Sequence, residues 1–83
     1  MPQKTPSIET PFTPKLRHIL AERMRAEYAA RGLSWATLSK ASGLSMSTIA
    51  RISAARHPPD LDTLEKLAYG IGIEASELLR QKA

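Results

Sequence analysis

Apolar residues recur every three or four positions in several segments of this chain, the spacing that places them on one face of an α-helix. The first segment has apolar or aromatic side chains at Leu16, Ile19, Leu20, Met24 and Tyr28. A later segment has them at Leu61, Leu64, Leu67, Ala68 and Ile71. A short stretch near the end adds Leu78 and Leu79. No alternating strand pattern competes with these segments, so we predict an all-α fold.

Local signals indicate where these helices begin and end. Thr13 followed by Pro14 is typical of an N-cap and the first helical position, which predicts a first helix that runs from there to about Gly32. A Pro-Pro pair prevents a helix from continuing before Asp60, which can cap a fourth helix. We expect a short fifth helix over about residues 75–81.

Residues 33–53 contain two short helical segments joined by a single glycine. Ser34 can cap the first segment and Ser45 the second, because a serine oxygen accepts a hydrogen bond from a free amide two or three residues later. Gly43 can end the first of these helices and turn the chain, since glycine adopts a left-handed conformation at little steric cost. This layout is typical of a helix-turn-helix over residues 34–53, which gives five helices in total.

Positive charge is concentrated on this part of the chain. The formal net charge is +4, and residues 28–59 contain no acidic residue. The basic residues in that stretch are Arg31, Lys40, Arg51 and Arg56. Clustered positive charge indicates a phosphate-binding surface, although the same residues would also form an ordinary solvated face. The position of the charge on the helix-turn-helix favours the first interpretation.

Composition argues against several other classes of protein. The 83 residues are enough for one domain with a small core, and the absence of cysteine excludes a disulfide framework or a thiolate metal site. His18 and His57 lie far apart without further ligands, so we predict no metal and no cofactor. The chain has neither an apolar run of about 20 residues nor a signal peptide, and we therefore expect a cytoplasmic protein without membrane contact.

Catalysis has no support in the sequence either. Serines are frequent, but no base and orienting acid accompany them at a recognisable spacing, and there is no glycine-rich phosphate loop. We therefore predict that the protein is not an enzyme. We also expect neither a ligand-sensing domain nor a small-molecule ligand.

Residues 1–13 form a separate segment. Three prolines interrupt them and little apolar periodicity is present, so we predict an extended tail that precedes a domain over residues 14–82. The tail is formally neutral because Lys4 balances Glu9. Its charge therefore gives little reason to expect that it wraps around DNA. We expect Phe12 and Ile8 to pack on the domain or on a second subunit.

From about Leu16 to Leu79 the chain resembles the Cro/repressor-type, or lambda-repressor-like, helix-turn-helix family. Several short motifs match the family's pattern in both order and spacing. They are Gly32-Leu33-Ser34, Leu38, Gly43-Leu44-Ser45, Ser47-Thr48-Ile49, Ile52 and Pro59-Asp60-Leu61. The resemblance implies a compact five-helix domain that binds double-stranded DNA as a small, repressor-like transcriptional regulator, with recognition helix 45–53 in the major groove. It also implies a homodimer on a pseudo-palindromic site.

The resemblance and side-chain chemistry together select the DNA-binding residues. They are Ser34, Trp35, Ser45, Met46, Ser47, Thr48, Arg51 and Arg56. Arg51 is the best candidate for reading a base, because its guanidinium can bond guanine O6 and N7 together, and a phosphate contact is its alternative role. Met46 can touch a thymine methyl or a protein partner. Ile49 and Ile52 have the spacing of inward-facing core residues.

Three features depart from the family pattern. Trp35 stands where many relatives have glutamine, which leaves open whether the indole donates to a phosphate or packs against a partner. Tyr28 and Ser53 stand where several phage members pair a basic with an acidic residue. The Glu-x-Gly sequence that usually ends the recognition helix is absent, so the position of its end stays open.

A second function is also compatible with these residues. The same fold serves proteins whose main partner is another protein, such as an antitoxin or a phage-type accessory factor. Trp35, Met46 and the proline-containing tail suit that role. Steeply salt-dependent duplex binding would favour the regulator, and a salt-resistant protein complex would favour the alternative.

Overall fold

Five α-helices and the loops between them account for residues 14–81, the part of the chain that the computed structural model describes. The helices are α1 (Leu16–Ala30), α2 (Trp35–Ser42), α3 (Met46–Ser53), α4 (Leu61–Ile71) and α5 (Ala75–Leu78). No strand occurs within these residues, and the predicted all-α five-helix fold is confirmed. The predicted tail over residues 1–13, with Ile8 and Phe12, lies outside the described part.

The first and last helices are shorter than the sequence signals predict. α1 begins one residue after Lys15, because the first helical hydrogen bonds end on the Lys15 carbonyl oxygen. Pro14 therefore lies before the helix rather than at its first position, and its expected cap, Thr13, is outside the described residues. α5 ends at Leu78, whereas we expected it to reach about residue 81.

Three helices begin at the side chains that were predicted to cap them. The hydroxyls of Ser34 and Ser45 each accept a hydrogen bond at 3.1 Å from the amide three residues later. The Asp60 carboxylate accepts the equivalent bond at 2.8 Å. A cap of this kind contributes about 1 kcal/mol. The starts of α2, α3 and α4 are therefore set by local chemistry that the sequence already shows.

The core contains at least one side chain from every helix. The largest fully buried side chains are Leu20, Met24, Leu38, Ile49, Ile52, Leu67 and Leu78. α2 packs mainly against α4, and α3 packs against α1, so each helix of the helix-turn-helix has its own supporting helix. Burial of a leucine or isoleucine in this way contributes about 1.5–3 kcal/mol.

Two leucines on the predicted apolar faces are exposed instead. Leu16 is 57% exposed and Leu61 is 78% exposed. Each is the first residue of its helix. Helical spacing gives the direction of such a side chain, but not whether a neighbouring helix extends far enough to cover it. At Leu16 and Leu61 the apolar pattern therefore extends one residue beyond the part of the face that the core covers.

A buried arginine joins α1 to the last described residues. The guanidinium of Arg23 donates to the carbonyl oxygen of Glu77 at 2.5 Å and to that of Arg80 at 2.7 Å. It also forms an ion pair with Glu27, at 2.9 Å. The two carbonyl groups lie in and just after α5, where a helix leaves its last acceptors unpaired. The short α5 is thus fixed by a charged side chain as well as by the burial of Leu78.

Glu27 connects Arg23 of α1 to Arg31, the residue that follows the end of α1. Its carboxylate bonds Arg23 through one oxygen and Arg31 through the other. The hydrogen bond from Arg23, followed by that from Arg31, holds the pKa of Glu27 below its usual range. Arg31 is therefore paired, and its charge is less available to an external anion than the sequence alone suggests.

Candidate nucleic-acid interface

The turn between α2 and α3 is fixed by hydroxyl groups of α2. The Ser39 hydroxyl donates to the Leu44 carbonyl oxygen at 2.5 Å, and the Ser42 hydroxyl accepts from the Leu44 amide at 3.2 Å. Gly43 adopts the left-handed conformation that was predicted for this turn, with a φ of 78°. Both backbone polar groups of Leu44 are thus paired with side chains of the preceding helix. These bonds hold the orientation of α3 relative to α2.

Both helices of the helix-turn-helix begin with the same arrangement of hydroxyls. The Ser34 hydroxyl lies 3.0 Å from that of Thr37, and the Ser45 hydroxyl donates to that of Thr48 at 2.9 Å. Neither helix has an acidic residue in its first turn, whereas α4 is capped by Asp60. No carboxylate of their own first turns therefore neutralises the partial positive charge of these two N-termini, whose free amides can bind phosphate oxygens.

Helix α3 has one buried face and one exposed face. Ile49 and Ile52 have no exposed surface, as their spacing predicts. Met46 is 48% exposed, and Ser47 and Arg51 are exposed as well. Positions 47 and 51 are one helical turn apart and share the exposed face. The side chains that were predicted to contact bases are therefore accessible, while the helix itself is anchored in the core.

Exposed basic and aromatic groups also occur on α2 and just beyond α3. Lys40, Arg51 and Arg56 are exposed, and none of them forms an ion pair with any of residues 14–81. Trp35 is the first residue of α2 and is 36% exposed, beside the Ser34 cap. The charges predicted for a phosphate-binding surface are thus available, apart from that of Arg31, which is paired with Glu27.

The eight predicted contact residues fall into three places. Those at the start of α2 are Ser34 and Trp35. Those at the start and on the exposed side of α3 are Ser45, Met46, Ser47, Thr48 and Arg51. Arg56 lies just beyond the end of α3, and Thr48 differs from the others on that helix because it is half-buried and engaged in the cap.

The end of α3 is tied to α1 by a residue that sequence reasoning missed. The guanidinium of Arg25 donates to the Ser53 carbonyl oxygen. The Tyr28 hydroxyl lies 3.4 Å from the Ser53 hydroxyl, so the two residues that depart from the family's charged pair are close to each other. A cation at a helix C-terminus is favoured because the last carbonyl groups carry partial negative charge. The available signal was the position of Arg25, three residues before Tyr28 and on the same side of α1.

The chain leaves α3 through a residue in the left-handed conformation, two positions after the helix ends. Ala55 has a φ of 59° and is the one non-glycine residue with a positive φ among residues 14–81. Its amide donates to the Ile52 carbonyl oxygen at 2.9 Å, and the Arg56 amide donates to that of Arg51 at 2.9 Å. This pair of bonds is a Schellman motif, which glycine normally completes. The helix thus ends at Ser53 in a glycine-type geometry without a glycine.

Residues 24–78 match the helix-turn-helix family, and this segment includes all of α2, α3, α4 and α5. The chain belongs to the Cro/C1-type helix-turn-helix family. The resemblance that the motifs indicated is thereby confirmed. A comparison with curated proteins gave no match.

Solved structures of other helix-turn-helix proteins have a similar fold. The restriction-modification controller protein C.AhdI from Aeromonas hydrophila is 32% identical over 75% of this chain and 94% of its own, with a TM-score of 0.71. The hypothetical transcription factor NHTF from Neisseria is 27% identical over 98% of this chain and 87% of its own, with a TM-score of 0.76. The clp gene regulator ClgR from Corynebacterium glutamicum is 23% identical over 80% of this chain and 70% of its own, with a TM-score of 0.73, and shares the fold alone.

The helix-turn-helix family and these neighbours are transcription regulators rather than enzymes. Membership of the family makes this chain a DNA-binding regulator. Among residues 14–81, no helix has the length and apolar character needed to cross a lipid bilayer.

Proposed function

We propose that this protein is a small, repressor-like transcriptional regulator that binds specific double-stranded DNA sequences with α3 in the major groove. The observation that carries the proposal is the division of α3 into two faces. Ile49 and Ile52 anchor it in the core, while Met46, Ser47 and Arg51 are exposed. A helix held in this way presents a fixed row of side chains to the edges of the bases.

The two exposed arginines near α3 have different roles in this proposal. Arg51 lies on the exposed face, and its planar fork suits guanine O6 and N7, a pairing worth about 1–3 kcal/mol of discrimination. Arg56 lies beyond the C-terminal end, where its amide bonds the Arg51 carbonyl oxygen. That position suits a phosphate contact, which strengthens binding without selecting a sequence.

The serine-capped starts of α2 and α3 are proposed to bind phosphates. Ser34 and Trp35 lie at the first, and the hydroxyls of Ser45 and Thr48 lie at the second. Hydroxyls, the indole N–H and helix amides are donors that position a protein on the DNA backbone. Such contacts fix the register of α3 in the groove.

We also infer that two copies act together as a homodimer on a pseudo-palindromic site. A single recognition helix of eight residues offers few base contacts, and a twofold-related pair doubles them. Leu61 and Tyr69 support an interface on α4, because they are 78% and 80% exposed and lie about two turns apart on one helix. Exposed leucine and tyrosine side chains on one surface are typical of an interaction site.

A role as an antitoxin or phage-type accessory factor, with another protein as its main partner, is the second candidate. The observation that favours it is the exposure of Trp35 and Met46, 36% and 48%, each at the first position of its helix. Tryptophan and methionine are common at protein interfaces and rare on other surfaces.

Duplex binding across a salt series separates the two functions. A site selected from a random duplex library and a scrambled duplex are titrated between about 50 and 200 mM salt. We expect affinity for both duplexes to fall steeply with salt, because phosphate contacts release counterions, and the selected site to be bound more tightly throughout. A flat salt response without a preference between the duplexes would remove the DNA proposal and favour a protein partner.

A further inference from the structure

The exposed face of α3 offers few hydrogen-bonding groups to a DNA base. Its sequence contains no asparagine, glutamine, aspartate or glutamate. The Thr48 hydroxyl already accepts a bond from Ser45 at 2.9 Å, and Thr48 is half-buried. The groups that remain for bases are the guanidinium of Arg51, the hydroxyl of Ser47 and the apolar parts of Met46 and Ala50.

These side chains can recognise only a few features of the bases in the major groove. Adenine is read with two bonds by asparagine or glutamine, and the cytosine amino group is read by a carboxylate, and α3 has neither kind of side chain. Arginine reads guanine. Apolar side chains read the C5-methyl of thymine, which is the one apolar feature that a base pair presents in the major groove.

The apolar groups lie together along one edge of the exposed face. Met46 and Ala50 are one helical turn apart, and Arg51 follows Ala50 directly. Met46 is 48% exposed and Ala50 is half-buried, so both keep surface that a base can contact. Ser47 lies between this edge and Arg51 on the same side of the helix.

We propose, on the basis of the proposed function, that α3 selects its site through thymine methyl groups. Met46, with Ala50 beside it, contacts a C5-methyl, and Arg51 binds a neighbouring guanine. The ligand is therefore a duplex whose half-site combines a guanine with nearby thymines. The methyl carries information of its own, since uracil pairs with adenine in the same way and lacks it.

Replacement of single thymines by deoxyuridine in the selected site tests this assignment. We expect the wild-type protein to lose about fourfold in affinity at one or two positions of each half-site, the factor that corresponds to about 0.8 kcal/mol for one buried methyl. In Met46→Ala the loss on the same replacements falls well below fourfold, because most of the contact with the methyl is already absent. Ser47→Ala, at the adjacent exposed position, is the matched control: loss of its hydroxyl should weaken binding to thymine and uracil duplexes alike, so the ratio of the two affinities stays about fourfold.

The outcomes separate this inference from the proposed function. If the protein prefers the selected site over scrambled DNA but binds thymine and uracil duplexes equally, the methyl assignment is wrong and the proposed function stands. If no preference for the selected site exists, both are wrong. If Met46→Ala keeps the full uracil effect, the assignment to Met46 is wrong. Circular-dichroism melting checks that Met46→Ala folds, which the 48% exposure of Met46 leads us to expect.

Discussion

Gly70 of α4 lies against Ser42 at the end of α2. A β-carbon added to Gly70 would stand 2.7 Å from the Ser42 β-carbon and 3.0 Å from its α-carbon. Because the contact is with backbone and a short side chain, no flexible group can move away. Glycine is therefore needed here for the close approach of two helices. Ser42 also bonds the Leu44 amide, so this contact lies directly behind the helix-turn-helix turn.

Gly70→Ala is expected to lower the free energy of unfolding by about 1–2 kcal/mol. Overpacking destabilises by about 1–3 kcal/mol, while replacement of a helical glycine by alanine stabilises a helix by about 0.5–1 kcal/mol. Chemical denaturation measures the difference. The double variant with Ser42→Gly removes the β-carbon that the new methyl meets, and should be less destabilised than the sum of the single changes. Strict additivity would contradict the contact.

Ala55→Gly is expected to stabilise the protein by about 0.5–1 kcal/mol. The left-handed conformation costs a non-glycine residue about 1–2 kcal/mol. Glycine relieves this strain, but its greater freedom in the unfolded chain destabilises the folded state by about 0.5–1 kcal/mol. Ala54→Gly is the matched control, because Ala54 has an ordinary φ of −92° and gains nothing from glycine. Thermal melting should move the two variants in opposite directions. A shift of both to lower melting temperature would disprove the strain at Ala55.

Two substitutions of Ser45 separate helix capping from DNA binding. Ser45→Ala should cost about 1 kcal/mol of stability, because the α3 amide loses its cap. Ser45→Asp should keep most of that stability, since aspartate is also a good cap, but should weaken duplex binding by placing a negative charge at the proposed phosphate contact. Denaturation and DNA titration of the same preparations test this. Tight DNA binding by Ser45→Asp would show that no phosphate is bound at this site.

Arg51→Ala should weaken binding mainly to the selected site, whereas Arg56→Ala should weaken binding to every duplex. Arg51→Ala should weaken the selected site by about 1–3 kcal/mol and relax discrimination at one base pair of each half-site. Arg56→Ala should weaken selected and scrambled duplexes about equally and make the salt dependence shallower. Binding to a set of single-base variants of the site distinguishes these patterns. A uniform loss in both proteins would make Arg51 a phosphate contact.

Glu27→Gln should lower stability at neutral pH and much less in acid. The pKa of Glu27 in the folded protein lies below its ordinary value of 4.5, because Arg23 and then Arg31 bond its charged form. Its pairing therefore stabilises fully above the pKa of the unfolded chain, and this contribution is lost as the pH falls through the lowered value. Urea denaturation from pH 7 downward should show the two proteins converging. Glu65→Gln, at an exposed position of α4, is the control for the loss of a carboxylate as such.

Helix starts and the faces of α3 could be predicted because they depend on neighbouring residues. Ser34, Ser45 and Asp60 each bond an amide three residues away. The burial of Ile49 and Ile52 follows from helical spacing once the helix is placed.

Contacts between distant segments could not be predicted in this way. Arg23 bonds carbonyl groups 54 and 57 residues further along the chain, and Arg25 bonds one 28 residues away. Both arginines look like ordinary surface charge in a helical pattern. Local chemistry did not predict the left-handed conformation of Ala55 either, because alanine normally avoids it. The available signal was the family's Glu-x-Gly ending, in which Ala55 stands at the glycine position.

The serine caps of α2 and α3 also determine how acid acts on different parts of the molecule. A serine hydroxyl does not titrate, so the hydrogen bonds that start these two helices persist when carboxylates become protonated. Asp60, whose pKa is lowered by the hydrogen bond from the Thr63 amide, and Glu27 both lose their stabilising charge in acid. Acid therefore weakens the start of α4 and the carboxylate that holds Arg23 before it affects the helix-turn-helix caps. The proposed DNA-facing surface is built on the local bonds that depend least on pH.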